Sequence, residues 1–298
     1  MNAKPWLQAF RLRTLPLSLS CIFMGGFLAS AAGAFRWDIF ALCVVTTIFL
    51  QILSNLANDY GDSIHGADSA DRKGPSRAVQ SGVISAAQMR TAVIVFIVLC
   101  LVSGISLLFV SFGLEWRGIV FFLGLGVLSI AAAIAYTVGR KPYGYMGLGD
   151  ISVLIFFGLV GVMGSSYLFT KTLLVYQVLP ALSCGLFAIG VLNINNIRDI
   201  ESDRKAGKFS IPVRIGRDRA IVYHWFLIGT GWLTAIVYTA ITYHSPWQFL
   251  FVLSVPLFLK NGLAVSRKPS HELDPFLKQM ALSTLAFVFL FGAGILLS

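Results

Sequence analysis

Nine long apolar stretches limit what this chain of 298 residues can fold into. Each has the length of about 20 residues that a helix needs to cross the hydrocarbon core of a bilayer. Backbone N–H and C=O groups in lipid must be paired within their own segment, so such stretches span the membrane as helices. The predicted spans cover residues 16–34, 37–60, 88–113, 117–138, 150–169, 173–196, 219–243, 247–266 and 278–297.

The basic residues predict the orientation of these spans. With the N-terminus in the cytoplasm, the cytoplasmic segments carry 20 Lys and Arg residues and the opposite side carries three. Cytoplasmic loops of membrane proteins are enriched in Lys and Arg. We therefore expect an all-α polytopic membrane protein, one domain over residues 1–298, with nine transmembrane helices around a central cavity. Its N-terminus would be cytoplasmic and its C-terminus periplasmic.

The overall composition argues against several classes of protein. The orientation bias and the attraction to anionic lipid headgroups account for the net charge of +10, so we expect the lipid bilayer and no nucleic acid as a partner. The four cysteines fall inside predicted spans without C-x-x-C spacing, and the four histidines lack metal-ligand spacing. Neither a disulfide framework nor a zinc site is therefore expected.

Acidic residues are scarce, and their positions indicate a functional site. Eight of the 13 Asp and Glu residues fall within 55–80 and 195–220, each at the end of an apolar stretch. The first window has amides and carboxylates at i, i+3, i+4 and i+7, on one helix face: Asn55, Asn58, Asp59 and Asp62. The second has them at i, i+4 and i+8: Asn195, Asp199 and Asp203. The recurrence predicts two related halves facing one cavity, with chance similarity of short motifs as the alternative.

Both acidic sets are predicted at the cytoplasmic ends of helices, where carboxylates oppose the helix dipole. A cation would offset this cost. Oxygen ligands suit Mg²⁺, which binds through one or two carboxylates and completes its shell with water and phosphate. Two Mg²⁺ ions sharing a diphosphate fit two such sets, whereas a solvated salt-bridge network is the alternative interpretation.

Basic and aromatic residues lie beside the acids. Cations at these positions would hold the remaining charge of a diphosphate, although some serve only to set the topology. They are Arg72, Lys73 and Arg77 after the first set, and Arg198, Arg204, Lys205 and Lys208 around the second. A third cytoplasmic connection adds Tyr136, Arg140, Lys141 and Tyr143, and its ring faces can stabilise a carbocation.

The two long cytoplasmic connections, 61–87 and 197–218, are typical of functional loops. Ser85 and Gln88 have the spacing of a capping box that opens the third span, and Asp218 is predicted to cap the seventh. Asp150 begins the fifth span, where it would serve either as a helix N-cap or in catalysis.

Four segments resemble one family: Asn55–Asp62 (NLANDYGD), Asp71–Gly82 (DRKGPSRAVQSG), Tyr143–Asp150 (YGYMGLGD) and Asn193–Asp203 (NINNIRDIESD). They resemble the bacterial 1,4-dihydroxy-2-naphthoate polyprenyltransferases of menaquinone synthesis, a branch of the UbiA-type membrane prenyltransferase superfamily. The resemblance runs along nearly the whole chain and includes the nine spans.

The resemblance implies roles for these residues. Mg²⁺ and the prenyl diphosphate would be carried by Asp59, Asp62, Asp199 and Asp203. Asp150 would position or deprotonate the ring hydroxyl. The substrate-binding residues would be Asn55, Asn58, Arg72, Lys73, Arg77, Tyr136, Arg140, Lys141, Tyr143, Asn196, Arg198 and Lys208. The family motif has a further acid four residues after Asp62, where this chain has Gly66, so the role of the next acid, Asp68, stays open.

The implied reaction is transfer of a polyprenyl chain from an all-trans polyprenyl diphosphate to 1,4-dihydroxy-2-naphthoate, with loss of diphosphate and CO₂, to give demethylmenaquinone. Such a Mg-dependent transferase of alkyl groups other than methyl would lie in the bacterial cytoplasmic (inner) membrane, with its active site facing the cytoplasm. We expect Arg140 or Lys141 to hold the ring carboxylate, and Gly144, Gly147 and Gly149 to leave room for the double ring.

Other functions would need other features. A UbiA-type enzyme could act on another aromatic acceptor. A secondary transporter normally has its acids near the midplane of the membrane, and a CDP-alcohol phosphotransferase would need a D-G-x-x-A-R run that this chain lacks. The sequence does not indicate the isoprenoid chain length or the oligomeric state.

Overall fold

A computed structural model describes residues 3–64 and 78–298 of the chain. Those residues form helices and no strands. Nine helical segments among them are long and apolar enough to cross a membrane, which confirms the predicted all-α architecture and number of spans. The segments are Lys4–Ala31, Trp37–Ile64, Ala86–Phe112, Trp116–Ala135, Gly149–Thr170, Val175–Arg198, Arg217–Ile241, Pro246–Arg267 and Asp274–Leu296.

The described residues contain thirteen α-helices. They are α1 (Ala3–Phe10), α2 (Leu15–Ala31), α3 (Trp37–Ile64), α4 (Ala86–Phe112), α5 (Trp116–Ala135), α6 (Gly149–Val153), α7 (Ser165–Thr170), α8 (Val178–Arg198), α9 (Ile200–Lys205), α10 (Ile211–Ile215), α11 (Arg217–Ile241), α12 (Val255–Arg267) and α13 (Asp274–Leu296). Two of them, α9 and α10, lie in the connection between the sixth and seventh spans. Short 3₁₀ segments lie at Leu12–Thr14, Val175–Gln177, Pro246–Ser254 and Ser270–Glu272, and a π-helix at Leu154–Gly164 joins α6 to α7.

The helix starts test three predictions about capping. Ser85 and Gln88 form the predicted capping box, since the Gln88 N–H donates to Ser85 Oγ at 3.2 Å and the Ser85 N–H to Gln88 Oε1 at 2.9 Å. The predicted cap at Asp218 is wrong: α11 begins one residue earlier, after Gly216, whose φ of 82° lets the chain turn into the helix. Leu148 is the N-cap of α6, so the capping alternative for Asp150 is also wrong.

The π-helical segment brings the fifth span close to α8. A Cβ atom on Gly158 would lie 2.8 Å from the Ala181 carbonyl oxygen and 3.2 Å from the Gly185 Cα. Only glycine permits so close an approach of two backbones, as is common between membrane helices. The sequence pattern does not indicate the π geometry, because it changes the hydrogen-bond register and leaves the apolar composition unaltered.

The buried core is concentrated in the C-terminal part of the chain. α8 packs against α11, α13 and the π-helical segment, and α13 packs against α2 and the Pro246–Ser254 segment. Five phenylalanines at the centre of this region are at most 1% exposed: Phe187, Phe251, Phe258, Phe287 and Phe291. In the N-terminal part α3 packs against α4, and a central cavity lies between these helices and α8.

Candidate active site

The central cavity has a volume of about 450 Å³, which confirms the prediction of a central cavity. Its walls come from the first six spans and from the connection after α5, with Lys208 and Leu277 from later in the chain. Charged and amide groups line one end: Arg11, Asn55, Asn58, Asp62, Asn195 and Lys208. Apolar side chains line the rest, including Leu50, Leu101, Leu107, Leu108, Phe122 and Leu168. The cavity therefore suits a ligand with a charged head and an apolar tail.

The first acidic set lies on one unbroken helix, as predicted, because α3 continues to Ile64. Asp59 is buried and forms an ion pair with Arg11. Asn55 Nδ2 donates to the Phe10 carbonyl oxygen at 2.9 Å and to Thr14 Oγ1 at 3.1 Å. The segment between α1 and α2 is thereby held against the first set, at the charged end of the cavity.

The connection after α5 approaches the other side of the first set. Tyr145 Oη donates to Asp62 Oδ1 at 2.7 Å, and Thr137 Oγ1 lies 3.2 Å from Asn58 Oδ1. A Cβ atom on Gly61 would come within 2.5 Å of Thr137 Oγ1. The glycine between Asn58 and Asp62 thus makes room for the neighbouring connection.

The second acidic set lies across a bend. α8 ends at Arg198, Asp199 has φ −101° and ψ 13°, and Asp203 falls in the first turn of α9. The prediction of one continuous helix face over residues 195–203 is therefore wrong. A carboxylate in the first turn of a helix interacts favourably with the helix dipole, so Asp203 does not incur the electrostatic cost expected for a helix C-terminus.

Arg198 joins the second set to α13. Its side chain is 1% exposed, and it pairs with Asp199 through Nη2–Oδ2 at 2.7 Å and with Asp274. It also donates to Asn195 Oδ1 at 2.8 Å, and Arg13 Nη1 lies 2.8 Å from Asp274 Oδ2. Arg198, predicted to bind substrate, is thus committed to these contacts and does not line the cavity.

Asp203 and Lys208 form a buried pair, with Lys208 Nζ 3.3 Å from Asp203 Oδ2. Lys208 lines the cavity, whereas Asp203 does not. Burial raises the pKa of the Asp203 carboxyl above its ordinary value, Lys208 opposes this shift, and the negative charges of Asp199 and Asp62 add to it. Asp62 of the first set and Lys208, the partner of Asp203, both line the charged end of the cavity, so the two acidic sets lie beside that end.

The donors at this end fit Mg²⁺. Asn196 Oδ1 is a buried oxygen atom that accepts no hydrogen bond within the described residues, and the buried Asp203 Oδ2 has only the ion-pair contact with Lys208. No three His, Cys, Asp or Glu side chains of the described ranges come together as a metal-binding group. Mg²⁺ usually takes one or two protein carboxylates and fills its shell with water and substrate phosphate, so the residues present match that ion.

The connection after α5, which is the third cytoplasmic connection of the sequence analysis, has its tyrosines on the cavity wall and its cations away from it. Tyr136 and Tyr143 line the cavity, with their ring centroids 5.4 Å apart in an edge-to-face arrangement. Burial raises the pKa of Tyr136 to about 12, so its phenol stays protonated at neutral pH. Arg140 and Lys141 are exposed and do not line the cavity.

The glycines of this connection give no space to a ligand. A Cβ atom on Gly144 would lie 2.6 Å from the Tyr136 carbonyl oxygen, and one on Gly147 would lie 2.6 Å from the Phe209 carbonyl oxygen. At Gly149 the nearest atom is Tyr136 Oη, at 3.0 Å. The expectation that these glycines leave room for a double ring is wrong, because the protein itself fills that space.

Several predicted residues lie elsewhere. Asp150 is buried and accepts a hydrogen bond from Tyr223 Oη at 2.8 Å, and it does not line the cavity. Arg72, Lys73, Arg77 and Asp68 lie outside the described residues.

Sequence reasoning misses Arg11 as a site residue, and it places Tyr145 beside the acceptor without predicting its contact with Asp62. The sequence marks Arg11 only as a determinant of topology, yet it meets Asp59 across 48 positions of sequence. Tyr145 lies in a segment that the sequence does single out, and its position two residues after Tyr143 is the available signal.

Comparisons with known proteins identify the family of this chain. The model of the UbiA prenyltransferase family matches residues 18–296. A protein of Haemophilus influenzae named 1,4-dihydroxy-2-naphthoate octaprenyltransferase is 46% identical over 299 aligned residues, which cover 99% of this chain and 96% of the relative.

Solved structures share the fold. The apo structure of a UbiA homolog from Aeropyrum pernix has a TM-score of 0.70 at 19% identity and covers 96% of this chain and 98% of its own. A UbiA homolog from Archaeoglobus fulgidus bound to DMAPP and Mg²⁺ has a TM-score of 0.60 at 15% identity, over 96% and 98% of the two chains.

Proposed function

Because the chain belongs to the UbiA prenyltransferase family, we propose that it transfers a polyprenyl chain from an all-trans polyprenyl diphosphate to 1,4-dihydroxy-2-naphthoate. The observation that carries this proposal is a cavity with an apolar remainder and a charged end, which is lined by Asp62 of the first set and by Lys208, the partner of Asp203 in the second. The name of the Haemophilus influenzae relative supports the choice of acceptor.

The cavity residues suggest how the substrates are held. Lys208 and Arg11 lie where they can pair with the diphosphate, and the prenyl chain would extend along Leu107, Leu108 and Phe122. Cleavage of the bond between prenyl C1 and the diphosphate oxygen leaves an allylic cation, which the faces of Tyr136 and Tyr143 can stabilise. The carboxyl-bearing ring carbon then forms a bond to C1 and loses its carboxylate as CO₂, which leaves both ring hydroxyls in place and gives the hydroquinone form, demethylmenaquinol.

We propose that Asp59, Asp62, Asp199 and Asp203, assisted by Asn58 and Asn196, hold two Mg²⁺ ions. The buried acceptor oxygens of Asn196 and Asp203 support this, and so does the Mg²⁺ bound to the Archaeoglobus fulgidus homolog. When bound, Mg²⁺ would offset the negative charge of the departing diphosphate. The protein's part is to fix the carboxylates around it.

The acceptor is tested with purified protein, a polyprenyl diphosphate and Mg²⁺. We expect 1,4-dihydroxy-2-naphthoate to be prenylated far better than 4-hydroxybenzoate, with one CO₂ released for each product molecule detected by mass spectrometry. If 4-hydroxybenzoate is the better acceptor and keeps its carboxylate, the naphthoate assignment fails and metal-dependent prenyl transfer stands. If neither acceptor is prenylated, the proposed function fails.

We propose that the site faces the cytoplasm of a bacterial inner membrane, as the basic residues predict. A single cysteine introduced as Arg204→Cys should react with an impermeant maleimide only from the cytoplasmic side, and Thr172→Cys only from the periplasmic side. The four native cysteines are buried and give a low background. The reverse labelling pattern would overturn the orientation.

A further inference from the structure

Two cytoplasmic connections meet beside the candidate active site. The Phe209 N–H donates to the Tyr145 carbonyl oxygen at 2.8 Å. Gly147, with φ 79°, lies so close to Phe209 that a Cβ atom on it would be 2.6 Å from the Phe209 carbonyl oxygen. We call the contact between residues 145–147 and Phe209 the loop junction.

Each side of the loop junction leads directly to one acidic set. Tyr145 donates to Asp62 Oδ1 at 2.7 Å. On the other side, Lys208 precedes Phe209 and pairs with Asp203 at 3.3 Å. A shift of one connection against the other would therefore move Tyr145, the partner of Asp62, relative to Lys208, the partner of Asp203.

Arg214 fastens the loop junction from outside the cavity. Its Nε donates to the Phe209 carbonyl oxygen at 2.9 Å, and its Nη2 donates to the Met146 carbonyl oxygen at 2.8 Å. One guanidinium thus spans the two connections. The side chain does not line the cavity and touches neither acidic set, so its effect on the site would be indirect.

We propose that Arg214 is a positioning residue that holds the partners of the two acidic sets in register; its effect on turnover rests on the proposed function. A role in membrane topology requires only a positive charge, which lysine also supplies. Arg214 reaches its two carbonyl oxygens through separate nitrogens, Nε and Nη2, held in one rigid plane, whereas lysine has a single nitrogen at the end of a flexible side chain. Arg214→Lys therefore separates the two roles.

The matched control is Arg219→Lys. Arg219 lies in the same cytoplasmic region and is exposed like Arg214, and its side chain bridges no two connections within residues 3–64 and 78–298. Both variants keep the net charge. Gly147→Ala disturbs the loop junction from the other connection, since the added methyl group would press on the Phe209 carbonyl oxygen and the positive φ would be strained.

Hydrogen–deuterium exchange measures the loop junction without any need for activity. In Arg214→Lys and in Gly147→Ala we expect faster exchange in peptides covering residues 141–148 and 206–214, and no change in Arg219→Lys. Unchanged exchange in both peptides of Arg214→Lys would overturn the proposal, whether or not the protein proves to be a prenyltransferase.

Turnover gives the second readout. Arg214→Lys and Gly147→Ala should each lower kcat about tenfold or more, because small displacements of catalytic groups have effects of that size. Arg219→Lys should keep the kcat of the parent protein. The double variant Arg214→Lys/Gly147→Ala should lose less than the product of the two single losses, since both act on one junction.

Failure of the proposed function and failure of the positioning role give different results. An inactive parent protein contradicts the proposed function and leaves the exchange experiment decisive for the loop junction. An active parent with equal kcat in Arg214→Lys and Arg219→Lys contradicts the positioning role. Thermal unfolding with a thiol-reactive dye, which reports the four buried cysteines, confirms that each variant is folded before it is compared.

Discussion

The two halves of the chain carry similar acidic motifs, but the packing around the two motifs differs. Around the second set, α8, α12 and α13 pack phenylalanines into a filled core, with ring centroids of Phe187 and Phe258 4.5 Å apart, and α11 adds Trp232. Around the first set, α3, α4 and α5 enclose most of the cavity wall, and α5 buries only Ile119 and Ile130. Within the described residues, α11 and α12 contribute nothing to that wall.

The two regions therefore differ in role: the filled core supports the second acidic set, and the helices around the first set leave the space for substrate. A filled core fixes the backbone that presents Asp199 and Asp203, whereas helices that border a void leave room for a ligand. The two acidic sets also differ in their partners. Asp199 pairs with the adjacent Arg198, whereas Asp59 and Asp62 depend on Arg11 and Tyr145 from distant parts of the chain.

The largest expected effect tests whether both halves are needed for chemistry. Asp59→Asn and Asp199→Asn should each lower turnover about a hundredfold or more, because each would remove a carboxylate that we propose holds Mg²⁺. EDTA should have the same effect on the parent protein. Turnover is measured by mass spectrometry of the prenylated product. Full activity of one variant at low Mg²⁺ would show that its half supplies no metal ligand.

A second prediction contrasts the filled core with the cavity wall. Phe287→Ala should lower the free energy of unfolding by about 3–5 kcal/mol, because a fully buried ring is lost from a filled core. Leu107→Ala, on the cavity wall, should cost less, since one side of Leu107 already faces a void. Instead it should change the KM for polyprenyl diphosphate. Thermal unfolding in detergent compares the two, and equal losses of stability would remove the distinction between the halves.

A third prediction concerns the partner of Asp62. Tyr145→Phe keeps the ring and removes the hydroxyl that donates to Asp62 Oδ1, so kcat should fall about tenfold, the size expected for one hydrogen bond to a charged group. The comparison variant is Tyr143→Phe, whose hydroxyl contacts the Ala132 carbonyl oxygen and Ser152. Steady-state kinetics distinguish them, and a larger loss in Tyr143→Phe would reverse the assignment.

The smallest expected effect is that of Arg140→Ala. Arg140 is exposed and off the cavity wall, so we expect a rise in KM of about two- to threefold, through long-range attraction of the anionic substrates. Salt should weaken the difference between the variant and the parent protein. A much larger rise that persists at high salt would mean that Arg140 touches the substrate.

The number of spans and the residues around which the site is built could be predicted from the sequence alone. Apolar length is a local property that the bilayer imposes on each segment, and four-residue spacing within one helix placed Asn55, Asp59 and their neighbours together. The resemblance of the Asp-rich segments pointed to the same family that the comparisons identify.

The partners of each acidic set depend instead on the tertiary structure. The bend at Asp199, the ion pair from Arg11 to Asp59 and the bridge from Arg214 to two connections all arise from contacts that local sequence does not encode. The same holds for the glycines of the third connection, whose empty side is filled by Tyr136 and Phe209. Residue type shows that a backbone can approach closely at a glycine, but the packing of the neighbouring segments determines whether protein or ligand takes the space.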